Sequence, residues 1–168
     1  DFIDGARHWN GRGQGYQPPA GDAVVNLPEG VAIAALESSD SDWPKAEYRT
    51  KDLRFRGYYL DKMQRPTFKY ERGEVSVEDT PMPIAGASED DAGKIKRIIK
   101  LKAKDAPKNL YFRVAQGSFE KKGQSFEGDE VAISVKGGEP VAQGGDLRVP
   151  IVFKGGRAQI EVTYSWAE

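Results

Sequence analysis

Through most of this chain apolar residues recur at every second position, the period of a strand with one buried face, and seldom at helical spacing. The pattern is densest over residues 53–79, LRFRGYYLDKMQRPTFKYERGEVSVED, and the chain reads as organised around that stretch. Leu53, Phe55 and Tyr59 share one parity, with Gly57 between them, while Arg54 and Arg56 fall on the other. After a polar connection over residues 61–65, Phe68 and Tyr70 share a face from which Thr67, Lys69 and Glu71 point away. Arg72-Gly73 predicts a second turn, where glycine takes a positive φ without steric cost. Val75 and Val77 then alternate with Ser76 and Glu78. Pro66 opens its strand, where a missing N–H is tolerated. The expectation is a three-stranded antiparallel meander.

Upstream, residues 24–27 and 31–36 predict two further strands about the turn Pro28-Glu29-Gly30. Residues 38–42 read as a polar loop, and Trp43-Pro44 follows with Trp43 as a core or lid residue. Downstream, residues 94–104 carry two periods at once. Ile95, Ile98 and Ile99 suit a helix, which an acidic lead-in would favour. Ile99, Leu101 and Ala103 alternating with Lys100, Lys102 and Lys104 suit a strand. The β-branched isoleucines and the strand-like neighbours favour the strand, against which stands Arg97 on the inward parity.

The rest is regular. Leu110, Phe112 and Val114 alternate with Tyr111 and Arg113, and Phe119 and Phe126 flank a Lys121-Lys122-Gly123 turn. Val131, Ile133 and Val135 make a further face. Leu147, Val149, Ile151 and Phe153 make another, with Pro150 on the outward parity. Proline cannot donate to a ladder, so that strand is expected at an edge or a bulge. Ala158, Ile160, Val162, Tyr164 and Trp166 form the longest alternation. The whole predicts one all-β domain over residues 1–168, an antiparallel β-sandwich of about ten short strands. Residues 1–22 are expected to be an irregular Gly-rich arm pinned by Trp9 and Tyr16.

Within the central stretch, Arg54-Phe55-Arg56-Gly57-Tyr58, Leu60-Asp61 and Arg65-Pro66-Thr67-Phe68-Lys69-Tyr70 resemble a segment of large secreted bacterial multidomain proteins related to c-type cytochromes and membrane-associated dehydrogenases. His8-Trp9, Gly15-Tyr16 and Asp42-Trp43-Pro44 are compatible with the same family. The resemblance implies an accessory domain outside the cytoplasm, periplasmic or secreted. It carries over no catalytic residue.

Composition narrows the chemistry. The 19 glycines and 10 prolines suit many turns, and a net charge of −1 with 30% charged residues lacks the basicity of a nucleic-acid binder. The lysines of residues 94–104 could be read as a track for nucleic acid or acidic polysaccharide. No aromatic residues interleave with them, and outward lysines also deter edge pairing, so no nucleic-acid partner is expected. No apolar run approaches the roughly 20 residues that span a bilayer, so no membrane insertion is expected. A chain opening at Asp1 without an initiating Met is expected to be part of a longer protein, with any targeting segment outside it.

The absence of cysteine excludes disulfides, thiolate metal sites, a cysteine nucleophile and covalent haem attachment within this chain. His8 is the sole histidine, so a catalytic triad would have to use it from a Gly-rich arm, and no histidine pair exists for a transition metal. Gly11-Arg12-Gly13-Gln14-Gly15 resembles a phosphate loop only superficially, since it follows no predicted strand and opens no helix. Asp40 and Asp42 have the spacing of calcium loops without the further oxygens such a loop needs. The expectation is therefore no catalytic residue, no metal and no cofactor.

These readings predict a non-catalytic interaction or architectural module of a larger extracytoplasmic bacterial protein. Its partners would be other domains of the same parent chain or a polysaccharide. The alternative is a carbohydrate-binding module stacking sugars on Trp9, Tyr16, Trp43 and Tyr58. A second alternative is a carboxylate-dependent, glycoside-active enzyme drawing on the 26 acidic residues, none of which the sequence singles out as a pair.

Overall fold

The computed structural model describes residues 24–45, 52–88, 91–129 and 131–166. The expected arm, with Trp9 and Tyr16, lies outside them. Among the described residues there are twelve strands and no helix. In chain order the strands are β1 (Ile33–Ala35), β2 (Leu53–Leu60), β3 (Pro66–Arg72), β4 (Val75–Ile84), β5 (Lys94–Lys102) and β6 (Leu110–Gln116). They continue as β7 (Glu120–Lys122), β8 (Ser125–Glu127), β9 (Val131–Lys136), β10 (Val141–Gln143), β11 (Asp146–Pro150) and β12 (Arg157–Trp166). A four-stranded antiparallel sheet, ordered β1-β6-β11-β10, packs on an eight-stranded one, ordered β2-β3-β4-β5-β12-β9-β8-β7. The fold is an all-β, antiparallel sandwich.

The organising strands are β12 and β5 rather than the meander. β12 runs between β5 and β9, with Ile160 opposite Ile99 and Val162 opposite Arg97 on one side and Val135 on the other. Opposed residues of an antiparallel pair share a face, so Ile99, Leu101, Ile133, Ile160, Val162 and Tyr164 point together at the small sheet. They meet Phe112, Val114, Leu147 and Val149 there, and all are essentially without exposure. Each large side chain buried this way contributes roughly 1.5–3 kcal/mol. The Tyr164 hydroxyl donates to the carbonyl of Val114 at 3.0 Å, so the one polar atom of that ring is matched across the layers.

The ambiguous segment is a strand, β5, paired over nine positions with β12 and nine with β4. Its inward Arg97 is accommodated by an inward acid. Asp79 of β4 receives Arg97 Nε at 3.0 Å and Nη2 at 2.5 Å, and the guanidinium lies 5.5 Å from the Phe112 ring. Burial works against that charge, but hydrogen bonding and attraction from Asp79 outweigh it and raise the Arg97 pKa.

Several local expectations are corrected. Residues 24–27 form no strand, and of residues 31–36 only β1 does. β11 stops at Pro150; the Ile151 N–H still donates to the Leu110 carbonyl of β6 at 2.7 Å, and Phe153 lies outside the ladder. β11 lies between β6 and β10 rather than at the sheet edge, yet β10 pairs only as far as Arg148. Pro150 therefore faces no donor-requiring neighbour on that side, and the ladder with β6 bulges at Leu147/Arg148.

Candidate binding face

The eight-stranded sheet is broader than the four-stranded sheet that covers it. β1, the edge of the small sheet, reaches only as far as the end of β3, where Arg72 Nε donates to the carbonyl of Ile33 at 3.2 Å. Beyond that line no other described element covers the β2–β3 hairpin.

Three local devices shape the hairpin. Its turn is held by Asp61, whose Oδ1 accepts from the backbone N–H of Met63 at 2.8 Å and of Arg65 at 3.0 Å. Oδ2 accepts Arg65 Nε at 2.7 Å. The Arg65 backbone bond, then its side chain, hold the Asp61 carboxyl below the ordinary aspartate range. Next, the β2–β3 register shifts between Phe55 and Gly57, so Arg56 is an extra residue on β2. Gly57 takes φ +101° there, a conformation that L side chains rarely adopt. Finally, Gly73, at φ +57°, turns β3 into β4 where Arg72-Gly73 predicted it.

The bulge reassigns the faces of β2. Simple alternation puts Tyr59 with Leu53 and Phe55. With one residue inserted, Tyr58 lies opposite Phe68 and Phe55 opposite Tyr70, so Leu53, Phe55, Tyr58 and Leu60 join Phe68 and Tyr70 on one face. Tyr70 is in turn opposite Val77, and Phe68 opposite Asp79, so this is the same face that carries the core farther along the sheet. Here it is open: Phe55 is 66% exposed, Tyr58 62%, Leu60 47%, Leu53 41% and Phe68 38%. Tyr58 and Phe68 meet as a tilted pair with centroids 6.2 Å apart.

The opposite face of the hairpin is polar. Arg56 pairs with Glu71 at 2.7 Å and Lys69 with Glu78 at 3.4 Å, and Lys69 lies 4.9 Å from the Tyr59 ring. Thr67 and Thr80 hydroxyls bond at 2.8 Å. The hairpin is thus a two-strand ribbon with one apolar and one charged side.

Where the hairpin meets the small sheet there is a cleft of about 710 Å³, walled by Leu27, Val31, Leu53 and Phe55 and floored by Tyr70, Asp79 and Arg97. Burial and then the Asp79 charge push the Tyr70 hydroxyl well above its ordinary pKa, so it stays protonated. The floor is a closed ion pair beside a neutral phenol.

The two aromatic candidates among the described residues are separated by the fold. Tyr58 stands on the open hairpin face. Trp43 is half-buried over the outer side of the small sheet, against Val31, Ala34, Leu36 and Tyr111. Its Nε1 donates to the carbonyl of Val31 at 2.9 Å, and the guanidinium groups of Arg113 and Arg148 lie 5.6 and 5.7 Å from its ring. Trp43 and Tyr58 do not share a platform. Trp9 and Tyr16 fall outside the described residues.

The polar network beneath Trp43 escapes a sequence reading. Asp146 accepts from Arg113 Nε at 2.7 Å and Arg148 Nη2 at 3.1 Å. Arg148, buried despite its outward parity, donates through Nη1 to the carbonyls of Ser39 at 2.7 Å and Ser41 at 2.5 Å. The polar loop is tied down by a guanidinium. The two acids buried among the described residues, Asp79 and Asp146, are both ion-paired and lie on different sheets, one between the layers and one outside them. Arg97 gave a signal in advance, because an inward arginine on β5 asks for an inward acid and Asp79 has the parity of Val75 and Val77. No such signal exists for the carbonyls that Arg148 binds, which come from residues more than 100 positions away.

No family model, curated protein or solved structure matches the chain.

Proposed function

We propose that this chain is a non-catalytic interaction module, an accessory part of a larger extracytoplasmic protein, whose working surface is the uncovered apolar face of the β2–β3 hairpin. One observation carries the reading. Five large apolar side chains, exposed by 38–66%, lie contiguous on the face that elsewhere in the same sheet forms the core. Such patches on folded chains mark interaction sites, whereas singly scattered apolar residues do not. The charged reverse side of the hairpin keeps it from being an ordinary unfinished core.

Hydroxyl-radical footprinting tests the reading, with the isolated chain held at submicromolar concentration and compared with the parent protein it belongs to. Phe55, Tyr58 and Met63 are expected to label heavily in the isolated chain and to be protected in the parent assembly. Equal labelling in both would overturn it. Affinity electrophoresis against neutral and acidic polysaccharides checks the sugar alternative, and retardation abolished by Tyr58→Ala would put that alternative in its place.

A further inference from the structure

Among the described residues the open hairpin face lacks a covering layer two strands wide, and the hairpin is itself two strands wide, apolar on one side and charged on the other. We infer that a second copy of this chain covers it, the two hairpins stacking apolar face to apolar face so that each supplies the layer the other lacks. The inference rests on the reading of this face as a binding surface.

Geometry selects the arrangement. Stacked sheets lie about 10 Å apart, the spacing that already separates the two sheets of each copy. A two-fold axis across the strands would drive the large sheet of one copy through the small sheet of the other. An axis along the strands sends the two bodies to opposite sides, so the hairpins overlap alone, β2 of each over β3 of its partner. The free edge of each hairpin then abuts the Leu27–Val31 wall of the other copy's cleft, where Leu27 is also exposed. Charge permits this contact. Of the inward-facing hairpin residues only Arg72 is charged, and it is held by Asp52 and the Ile33 carbonyl. Arg54, Arg56, Lys69 and Glu71 stay on the outer, wet faces.

Area permits it too. At roughly 150–250 Å² for a large ring, the five exposed side chains present about 500 Å² per copy. Two copies bury about 1,000 Å², the lower limit for a specific interface. The interface therefore stands at the small, weak end of specific contacts, so association is expected only at high protein concentration.

Sedimentation equilibrium of the 168-residue chain from 1 to 500 µM tests this. The wild-type mass is expected to rise from the 18.5 kDa of one chain toward twice that value. Phe55→Glu and Tyr58→Glu, each checked for an unchanged circular dichroism spectrum, should remain monomers throughout. Lys100→Glu, on the outer face, should associate like wild type. Association that survives both hairpin variants would overturn the inference, because the contact would lie elsewhere. So would a wild-type chain that stays monomeric at 500 µM. In that case an apolar dye separates the two readings. Dye fluorescence lost in Phe55→Glu leaves the face an open binding surface for a different partner, whereas unchanged fluorescence sinks the proposed function as well.

Discussion

One face of the eight-stranded sheet exists in two states. Across β4, β5, β12 and β9 it carries Val77, Ile99, Ile160 and Ile133, none more than 1% exposed. Across β2 and β3 it carries Phe55, Tyr58 and Phe68, between 38% and 66% exposed. Once the bulge at Arg56 is allowed for, the second region is as clearly one-sided as the first, and its side chains are larger. The difference lies above the sheet: four strands cannot cover eight. An alternating strand therefore reports that one face is apolar, while the opposing layer decides whether that face is core or surface.

The boundary between the two regions is the place to break this contrast most severely. Asp79→Asn leaves Arg97 charged, buried and unpaired, and is expected to cost about 3–5 kcal/mol. The double variant Asp79→Leu/Arg97→Leu should recover most of the loss, because similar-sized apolar residues avoid the desolvation of both charges. Urea unfolding of the single and double variants checks both; a double variant no better than Asp79→Asn would show that the pair is needed for more than mutual neutralisation.

The contrast itself is sharpened by matched truncations. Ile160→Ala in the covered region should cost about 2–5 kcal/mol, and Phe55→Ala in the open region less than about 1 kcal/mol despite removing more carbon. The unfolding must be followed at submicromolar protein, so that self-association does not contribute. Comparable losses would mean that the hairpin face is buried in solution.

A backbone change tests what sets the faces of β2. Gly57→Ala forces a side chain into φ +101° and should cost about 1–3 kcal/mol or remove the bulge. Loss of the bulge returns Tyr59 to the face of Phe55 and expels Tyr58. Aromatic cross-peaks between Tyr58 and Phe68 by NMR report which occurs, and an unchanged Tyr58–Phe68 contact with unchanged stability would show that the glycine is dispensable.

The smallest effect is at the tip. The Asp61 pKa is depressed in the folded chain, so its stabilisation of the turn is present above the ordinary value of about 3.9 and is lost as pH falls through the lower folded value. Below that pH the amides of Met63 and Arg65 should lose their hydrogen bonds and exchange faster, while those of β12 stay protected. Asp61→Asn should abolish the pH dependence at those two amides; its persistence would assign it to another group.

The order of these effects follows what could be read from residues alone. Period two in residues 157–166 was enough to place Ile160, Val162 and Tyr164 on one buried face, since a strand that is apolar at every second position has few other ways to avoid water. The same rule identified β5, with Arg97 on the inward parity standing against it until the structure paired that arginine with Asp79. It failed at Tyr58 and Tyr59, because a single inserted residue reverses parity and Gly57 is equally compatible with a regular strand. It also placed the meander at the centre of the fold, when β2 is an edge.

What the sequence determined by itself is the all-β class, most of the strands and their apolar faces, all properties of neighbours two residues apart. Only the tertiary structure decided which strands stack over which. Pairings such as β5 with β12, or Arg148 with the carbonyls of Ser39 and Ser41, join segments dozens to more than a hundred residues apart. A local pattern holds no information about those distances. Hence the same alternation makes a core beneath β6 and an open face beyond β1.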